Sequence, residues 1–364
     1  MNTPLPERPS LDSLKYQAKQ LLKRHHAGDV DICDALRRLN QWTDSSNNEI
    51  LAGNLTLADA QFAIALQYGF PGWSALKAHV MSLAKTPGPD KSVTFTAAQR
   101  EEFKHRGLLR VPGLLPADIV TPVREMVREV LERADVCRNG IWTAGRQNGL
   151  ADMALKGPLL KKLKSRTKRS PELIALSSIE LHDAAEQLVD GRKLMTWNND
   201  CPQILFTPPD AEHWELPHKV WHMDVPRFGK IGCPGVQMFT FIERVEHGGA
   251  GTVVAAGSHH YLNDRGKVKS GQVKRILRQT HPWFKNLLKP SGGSRQHFLE
   301  APTQDGDIEL QVVELTGEPG DVWLMDLRLL HSLSPNISDR PRLMATQRYF
   351  LTEVANAANH DSEE

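Results

Sequence analysis

The hydrophobic pattern of the first 84 residues predicts a small helical bundle. Apolar residues recur at helical spacing with basic residues between them in residues 11–24, and a second such set follows in residues 32–42. Thr56 stands three residues before Asp59, which is the spacing of a capping box, and Gly69 is placed to end that helix. We therefore predict a bundle of about four helices in this region.

A change of composition separates this region from the rest of the chain. Residues 85–92 read KTPGPDKS, with two prolines, one glycine and several charges, which is typical of a linker. We therefore predict two domains, a helical module with its linker at residues 1–88 and a second domain at residues 89–364.

The second region combines helices with many short strands. Residues 117–134 place their apolar side chains on one helical face. After residue 195 the chain consists of short β-rich runs between Gly, Pro and Asn, namely GVQMFTFIERV, GTVVAA, IELQVVEL, DVWLMDLRLL and RLMATQRYFL. Such runs predict a closed or double-sheet β architecture with helices on one outer face, and hence an α+β fold.

Composition excludes several classes of protein. The 364 residues are 40% hydrophobic and 24% charged, with a net charge of +2, so neither a disordered chain nor a nucleic-acid-binding charge balance is indicated. The chain has no signal segment and no apolar run that could span a bilayer. Four widely spaced cysteines, without a C-x-x-C pair, favour reduced thiols and a cytoplasmic location over disulfides or structural zinc.

The stretch WHMD contains a candidate pair of metal ligands, His222 and Asp224. Side chains two residues apart on an extended chain point to the same side, so both can reach one ion. His331, at the end of DVWLMDLRLLHS, is the best candidate for a third ligand. Two histidines and one carboxylate with open positions are typical of a non-haem Fe(II) centre that activates dioxygen.

An arginine supplies a second candidate anchor. Arg342 follows His331 by eleven residues and begins the returning strand RLMATQRYF. Its guanidinium is suited to a two-point ion pair with a carboxylate, as a dicarboxylic co-substrate such as 2-oxoglutarate would offer. Arg340 is the alternative if the turn is set differently. Each residue also has a plain structural interpretation: a rim histidine bonded to Asp224, a histidine at a strand end, and arginines on a surface turn.

These residues occur within longer motifs that resemble one enzyme family. The second domain, over residues 93–352, resembles the phytanoyl-CoA dioxygenase family of Fe(II)- and 2-oxoglutarate-dependent oxygenases, whose core is a double-stranded β-helix, or jelly roll. The segments that carry the resemblance are EEFKHRGLLRVPGLLP at 101–116, WHMD at 221–224, GGAGTVVAAGSHH at 248–260 and GDVWLMDLRLLHSLSPNISDRPR at 320–342. The ordered set of motifs is far more specific than a lone H-x-D triplet.

The resemblance implies a role for each candidate residue. His222, Asp224 and His331 are then the iron ligands, and Arg342 is the partner of the far carboxylate of 2-oxoglutarate. The same carry-over places Gln237, Phe239 and Ser334 beside the co-substrate. Ala256 stands where the family often has proline, which questions the local turn but not the ligands. Halogenating relatives lack the carboxylate ligand, so the presence of Asp224 favours hydroxylation.

Two basic stretches and the first domain leave further hypotheses. Residues 156–169 and 265–295 are rich in Lys and Arg, which is typical of a solvated surface or of a lid that attracts an anionic small-molecule substrate. The aromatic residues do not alternate with the charges, so nucleic acid is not the expected partner. The string LADAQFAIALQYGFPGWSALKAHV resembles a helical module found beside ankyrin-type repeats, for which protein contacts or oligomerisation are the hypothesis.

The function expected from the sequence is hydroxylation of an unactivated C–H bond in a small substrate, using dioxygen and 2-oxoglutarate and releasing succinate and CO2. Two alternatives remain open from the residues themselves. A cupin-like hydrolase or isomerase would use the same ligands with zinc or manganese. A non-catalytic sensor would bind a ligand in the barrel and transmit the signal through the helical module.

Overall fold

The computed structural model describes residues 5, 11–83, 93–144, 153–168, 170–196, 201–224, 232–262, 270–289 and 295–360. The chain forms two compact units, Met1–Lys91 with Arg169–Ala175, and Ser92–Lys168 with Leu176–Glu364. The predicted domain boundary at residue 88 and its linker lie outside the described residues. No described helix is both long enough and apolar enough to cross a membrane.

The first unit is helical, as the apolar spacing predicts. Its described helices are α1 (Leu11–His26), α2 (Cys33–Leu36), α3 (Asn47–Ala52), α4 (Leu57–Gln67), α5 (Trp73–Leu83) and α9 (Pro171–Ala175). The predicted capping box starts α4, because the Thr56 hydroxyl accepts from the amide of Asp59 and the Asp59 carboxylate accepts from the amide of Thr56. Leu14, Leu36 and Ile64 belong to one buried core. The segment of α9 joins this unit from far along the sequence, which periodicity alone does not indicate.

The second unit carries the remaining described helices. They are α6 (Ala97–Arg106), α7 (Ala117–Arg133), α8 (Met153–Thr167), α10 (Ile179–Gln187), α11 (Ser270–Thr280), α12 (Pro282–Leu287), α13 (His297–Glu300) and α14 (Thr352–His360). Thr96 caps the start of α6, and Gly107 ends this helix with a left-handed φ of 70°. The basic stretch 156–169 falls largely on α8, and the described part of 265–295 forms α11 and α12.

Two antiparallel sheets form the centre of this unit. The strands are β1 (Leu108–Val111), β2 (Cys137–Arg138), β3 (Ile141–Trp142), β4 (Leu194–Met195), β5 (Gln203–Thr207), β6 (Gly235–Phe241), β7 (Val253–Ala256), β8 (Thr303–Asp305), β9 (Ile308–Glu314), β10 (Val322–Asp326), β11 (His331–Ser332) and β12 (Arg342–Leu351). One sheet has the order β1-β10-β6-β12-β4, with β5 also paired to β12, and the other has the order β11-β7-β9-β8. β2 and β3 form a separate hairpin.

The two sheets enclose a shared apolar core, as expected of a jelly roll. Phe239 and Phe241 of β6 and Met344 of β12 belong to the same buried cluster as Val254 of β7 and Leu315, which follows β9. The opposite face of the smaller sheet packs against α11 and α12 through a second buried cluster. The double-stranded β-helix with flanking helices, preceded by a small helical region, is therefore confirmed, and helices cover the outer face of the smaller sheet.

Candidate metal centre

The WHMD stretch divides its side chains between two sides of an extended chain. Trp221 and Met223 are buried in the apolar cluster shared with α11 and α12, and the Trp221 indole donates to the carbonyl of Pro217 at 2.7 Å. Alternation then directs His222 and Asp224 to the opposite side. The burial of the two apolar residues therefore determines which way the two candidate ligands point.

Backbone pairing brings the third ligand into register. His222 and His331 form an antiparallel bridge, in which each amide donates to the carbonyl of the other at 2.9 Å. Their ring centroids lie 4.3 Å apart. His331 also pairs with Val254 of β7, so the H-x-D segment extends the smaller sheet by one bridge at its edge. Two residues more than a hundred positions apart thus become neighbours through main-chain hydrogen bonds.

The ligand atoms of His222, Asp224 and His331 all lie within 4.8 Å of one another. Asp224 Oδ1 is 3.6 Å from His222 Nε2, and Asp224 Oδ2 is 3.7 Å from His331 Nε2. The two Nδ1 atoms face carbonyl oxygens, at 2.9 Å from Val220 and 3.1 Å from Leu329. Because a carbonyl can only accept, each Nδ1 carries the proton and each Nε2 presents its lone pair to the cluster.

The larger sheet holds the carboxylate in place. Asp224 Oδ2 accepts from Gln237 Nε2 at 3.0 Å and from Arg348 Nε at 3.1 Å. Gln237 and Arg348 are direct cross-strand partners on β6 and β12, so one register position supplies both donors. Burial raises the pKa of Asp224, but the surrounding hydrogen bonds and charges, including the guanidinium of Arg348, outweigh burial and leave the pKa well below its ordinary value.

His222 is neutral, and the residue that accepts its Nδ1 proton has an unusual backbone conformation. Burial is the largest cause of its lowered pKa, and the charges of His331 and Lys274 lower that pKa further. A neutral imidazole is the form that binds a metal. Val220, whose carbonyl accepts the Nδ1 proton, has a left-handed φ of 53°, which is a genuine outlier for a β-branched residue. Strain of this kind is typical of functional sites.

Arg342 is buried without a carboxylate partner among the described residues. It is 3% exposed, and its Nη1 donates to the carbonyl of Ala250 at 2.9 Å and to the hydroxyl of Thr252 at 3.4 Å. Its Nε has no hydrogen-bond partner. Burial lowers the pKa of Arg342 to about 10, although the charge of Asp210 acts in the opposite direction. A buried cation that lacks a counter-ion is suited to receive an anionic ligand.

The other sequence candidates are placed differently. Gln237 orients Asp224, and its Oε1 is buried without a partner. Phe239 packs its ring edge-on against His331, with centroids 6.4 Å apart. Ser334 donates to the carbonyl of Gly251 at 2.7 Å, an acceptor outside the metal cluster. Arg340, the alternative anchor, has a side chain that is 57% exposed, so it does not share the burial of Arg342.

Two residues beside these candidates were not predicted from the sequence. Arg348 lies six positions after Arg342 on the same strand, and period-two alternation could have placed both on one face of β12. Glu314, at the end of β9, accepts from His247 Nδ1 at 2.6 Å and from the amide of Gly248 at 3.2 Å. Burial raises the pKa of Glu314. Its carboxylate holds one end of the 248–251 loop whose Ala250 carbonyl contacts Arg342.

The Gly-Ser-His motif contacts the residues that immediately precede His331. Gly257 has a φ of 84°, and a Cβ there would lie 2.1 Å from the carbonyl oxygen of Glu309, so only glycine fits. The hydroxyl of Ser258 accepts from the amide of Leu330 at 3.0 Å. His259 contacts the carbonyl of Lys104 near the end of α6, and burial lowers its pKa to about 4. Ala256, in the place of the family's proline, pairs normally within β7, so the turn is still formed.

A second group of ligand-type residues is less suited to a metal. The ligand atoms of His182, Asp183 and Glu186 on α10 also lie within 4.8 Å of one another. Glu186 is already bound by Lys193 at 2.7 Å and by the amide of Leu194 at 3.1 Å. Its carboxylate is therefore occupied, whereas the two free Nε2 atoms and the oriented carboxylate around His222 leave an open coordination position.

The sequence model of the phytanoyl-CoA dioxygenase family matches residues 103–344, about two thirds of the chain. The chain belongs to this family. This member is an enzyme, a 2-oxoglutarate-dependent non-haem iron oxygenase whose cofactors are Fe(II), 2-oxoglutarate and dioxygen. The donor set of two neutral imidazoles and one carboxylate fits Fe(II), and the buried, unpaired Arg342 fits a dicarboxylate.

Several solved structures resemble this oxygenase, all with low sequence identity. The α-ketoglutarate-dependent epimerase SnoN from nogalamycin biosynthesis is 17% identical, with a TM-score of 0.38, over 70% of this chain and 81% of that one. AviO1 from Streptomyces viridochromogenes is 17% identical, with a TM-score of 0.42, over 73% and 96%. EctD from S. alaskensis with bound Fe is 18% identical, with a TM-score of 0.39, over 74% and 80%. No curated protein matches the chain in sequence.

Proposed function

We propose that this oxygenase hydroxylates an unactivated C–H bond of a small substrate and releases succinate and CO2. The observation that carries the proposal is the pairing of a His-Asp-His cluster with a buried guanidinium that forms no ion pair with a described carboxylate and whose Nε has no hydrogen bond. Bound iron, with 2-oxoglutarate and dioxygen, supplies the oxidising chemistry. The protein's own residues supply binding, orientation and exclusion of water.

The residue roles follow from the contacts. His222, Asp224 and His331 hold Fe(II), with the imidazoles fixed through Nδ1 and the carboxylate fixed by Gln237 and Arg348. These supporting bonds keep the three ligand side chains in position before the metal arrives. The presence of the carboxylate ligand supports hydroxylation rather than halogenation.

Arg342 is linked to the cluster through β7 and the residue before it. Val254 is the cross-strand partner of His331, and Thr252, which Arg342 contacts, precedes Val254 by two residues. Two residues of extended chain span about 7 Å. Four C–C bonds of about 1.5 Å give a five-carbon dicarboxylate an extended length of roughly 6 Å or less. A co-substrate bound at the metal through its keto acid end would therefore bring its far carboxylate close to Arg342.

The test is an anaerobic titration of the protein with Fe(II) and 2-oxoglutarate, followed by its metal-to-ligand charge-transfer absorption band. We expect the band in the wild-type protein and in His213→Ala, which removes an exposed histidine outside the cluster, and we expect no band in His222→Ala. Succinate release from candidate substrates under air then tests turnover. A cupin-like hydrolase or isomerase would act without 2-oxoglutarate, and a sensor would bind its ligand without releasing succinate.

Two further parts of the proposal concern the location of the protein and the role of its first unit. The described cysteines are all free, which agrees with a reducing, cytoplasmic environment. The helical first unit, with its likeness to a module found beside ankyrin-type repeats, stays a prediction of a docking or oligomerisation role. Size-exclusion chromatography of the full chain, compared with a chain that starts after the linker, measures its contribution to assembly.

A further inference from the structure

A strongly basic cavity lies beside the metal centre. Its volume is about 770 Å³, and residues 218–220 line it together with parts of α11 and α12 and the residues that follow α12. Six cations line its walls, namely Lys219, Lys274, Arg275, Arg278, Lys285 and Lys289. None of the described lining residues is an aspartate or glutamate, so the field inside the cavity has one sign.

The cavity cations lack partners that other cations of the same unit have. Arg110, Arg128, Arg328 and Arg348 are each ion-paired with an aspartate or glutamate. None of the six cavity cations forms an ion pair with a described carboxylate within 4.0 Å. The six cavity cations therefore differ from these four arginines in having no described carboxylate partner.

The spacing of the charges adds to this imbalance. Lys274 and Arg278 are four residues apart on α11. Like charges at this spacing are neighbours on a helix and repel each other. The buried face of α11, with Val273 and Leu277, fixes the cationic face toward the cavity. The fold thus holds like charges together without a described protein anion to offset them.

The cavity adjoins the metal ligands directly. Val220 lines it, and the carbonyl of Val220 accepts the Nδ1 proton of His222. A molecule held by the cations would therefore lie beside the segment that carries His222.

We propose that this cavity binds the anionic end of the substrate, a group with at least two negative charges such as a phosphate ester, a diphosphate or a pair of carboxylates. The inference rests on the proposed function, since it makes the anion an anchor that presents the rest of a small molecule to the oxygenase centre. It names the substrate class as polyanionic small molecules and assigns their recognition to α11, α12 and Lys219.

The shape of the site favours a small molecule over nucleic acid. A volume of about 770 Å³ lies within the usual range for ligand pockets. No aromatic side chain other than the imidazole of His218 is among its described lining residues, so the site lacks the stacking platform typical of single-stranded nucleic acid recognition.

The test is calorimetric titration of the full-length protein, without added metal, with inorganic pyrophosphate, citrate and acetate. The cavity variant is Lys274→Gln/Lys289→Gln. The matched control is Lys161→Gln/Lys164→Gln, which removes the same charge from exposed positions on α8. We expect pyrophosphate or citrate to bind the wild type and the control equally, and acetate not to bind. In the cavity variant we expect Kd to rise about 2- to 30-fold, as the loss of two ion pairs implies.

The outcomes separate this proposal from the proposed function. Tighter binding of pyrophosphate identifies phosphate as the anion, and tighter binding of citrate identifies carboxylates. The proposal fails if neither polyanion binds, if the control variant weakens binding as much as the cavity variant, or if a short single-stranded oligonucleotide displaces the polyanion. The charge-transfer band of the wild type is read in parallel. If the band is absent but the polyanion still binds, only the oxygenase function is refuted. If the band is present but no polyanion binds, only the proposed anion site is refuted.

Discussion

Arg342 leads to an unusual prediction about stability. A buried charged side chain is normally costly to remove, because its partner is left unpaired. Arg342 is 3% exposed but has no described carboxylate partner, and its Nε has no hydrogen bond. We therefore expect Arg342→Leu to change the free energy of unfolding of the metal-free protein only slightly, while it abolishes stabilisation by 2-oxoglutarate.

The magnitude follows from the pKa of Arg342. Burial lowers that pKa from 12.5 to about 10, a difference that corresponds to about 3 kcal/mol of destabilisation by the charged form. Since a pKa of about 10 lies far above neutrality, this cost is present in full at pH 7. Leucine removes it, but leaves the Ala250 carbonyl and the Thr252 hydroxyl without a donor, at about 1–3 kcal/mol. The two effects nearly cancel, so the net change should stay within about 2 kcal/mol.

Arg328 provides the matched control. It is also largely buried, but it binds Asp326 at two points, with Nη2 2.6 Å from Oδ2 and Nε 3.0 Å from Oδ1. Asp326 is 2% exposed, so Arg328→Leu would leave a buried carboxylate unpaired. We expect this variant to lose about 3–5 kcal/mol of unfolding free energy. The two substitutions are chemically identical and differ in whether a counter-ion is present.

The assay is urea denaturation of both variants and the wild type, with and without 2-oxoglutarate, together with direct titration of that acid. Loss of one partner from a buried ion pair costs about 2–5 kcal/mol of binding, so Kd for 2-oxoglutarate should rise roughly 30- to 5,000-fold in Arg342→Leu. Equal destabilisation by Arg342→Leu and Arg328→Leu would contradict the claim that the charge of Arg342 is uncompensated in the metal-free protein. Unchanged binding of 2-oxoglutarate by Arg342→Leu would refute its role as anchor.

Three further tests concern the supports of the site. Gln237→Leu removes one donor to the carboxylate ligand and should weaken Fe(II) binding about 10- to 100-fold in a competition titration, with thermal stability nearly unchanged. Gly257→Ala should cost roughly 3 kcal/mol or more in chemical denaturation because its Cβ meets a carbonyl, whereas Gly306→Ala, with a φ of 65° and open space, should lose only about 1–2 kcal/mol. Burial lowers the pKa of His259 in the folded protein from 6.5 to about 4. As the pH falls from about 6.5 to about 4, the unfolded chain therefore binds a proton at this histidine before the folded protein does, and the free energy of unfolding decreases. His259→Asn should flatten the profile there, and an unchanged slope would contradict the assignment.

The metal ligands could be predicted from the sequence because their signals are local. The H-x-D spacing needs only an extended chain, and the apolar residues Trp221 and Met223 on either side of His222 already indicate which side is buried. Likewise, the capping residue Thr96 and the terminal Gly107 predict the ends of α6 from neighbours alone. Such features depend on a few consecutive residues, so tertiary context does not change them.

The supporting residues could not be predicted in the same way, because they depend on register between distant strands. The place of Ser334 beside the co-substrate stays a prediction, and its hydrogen bond to the carbonyl of Gly251 depends on contacts that the sequence does not indicate. In the sequence, Arg348 is one of several charged residues in predicted strands. Its pairing with Gln237 in the sheet is what brings its guanidinium into contact with Asp224. A shift of one residue in that pairing would direct both side chains to the other face.

The same dependence on register explains how the site is divided between the two sheets. The histidines belong to the edge of the smaller sheet, whereas the donors that hold Asp224 belong to the centre of the larger one. Asp224 is the ligand that both sheets contact, so the distance between the sheets sets its position relative to the two imidazoles. Side chains such as Phe239, which packs between β6 and His331, fix that distance. The apolar core of the jelly roll therefore acts on the metal geometry through the carboxylate, and a cavity in that core would loosen the site without removing any ligand.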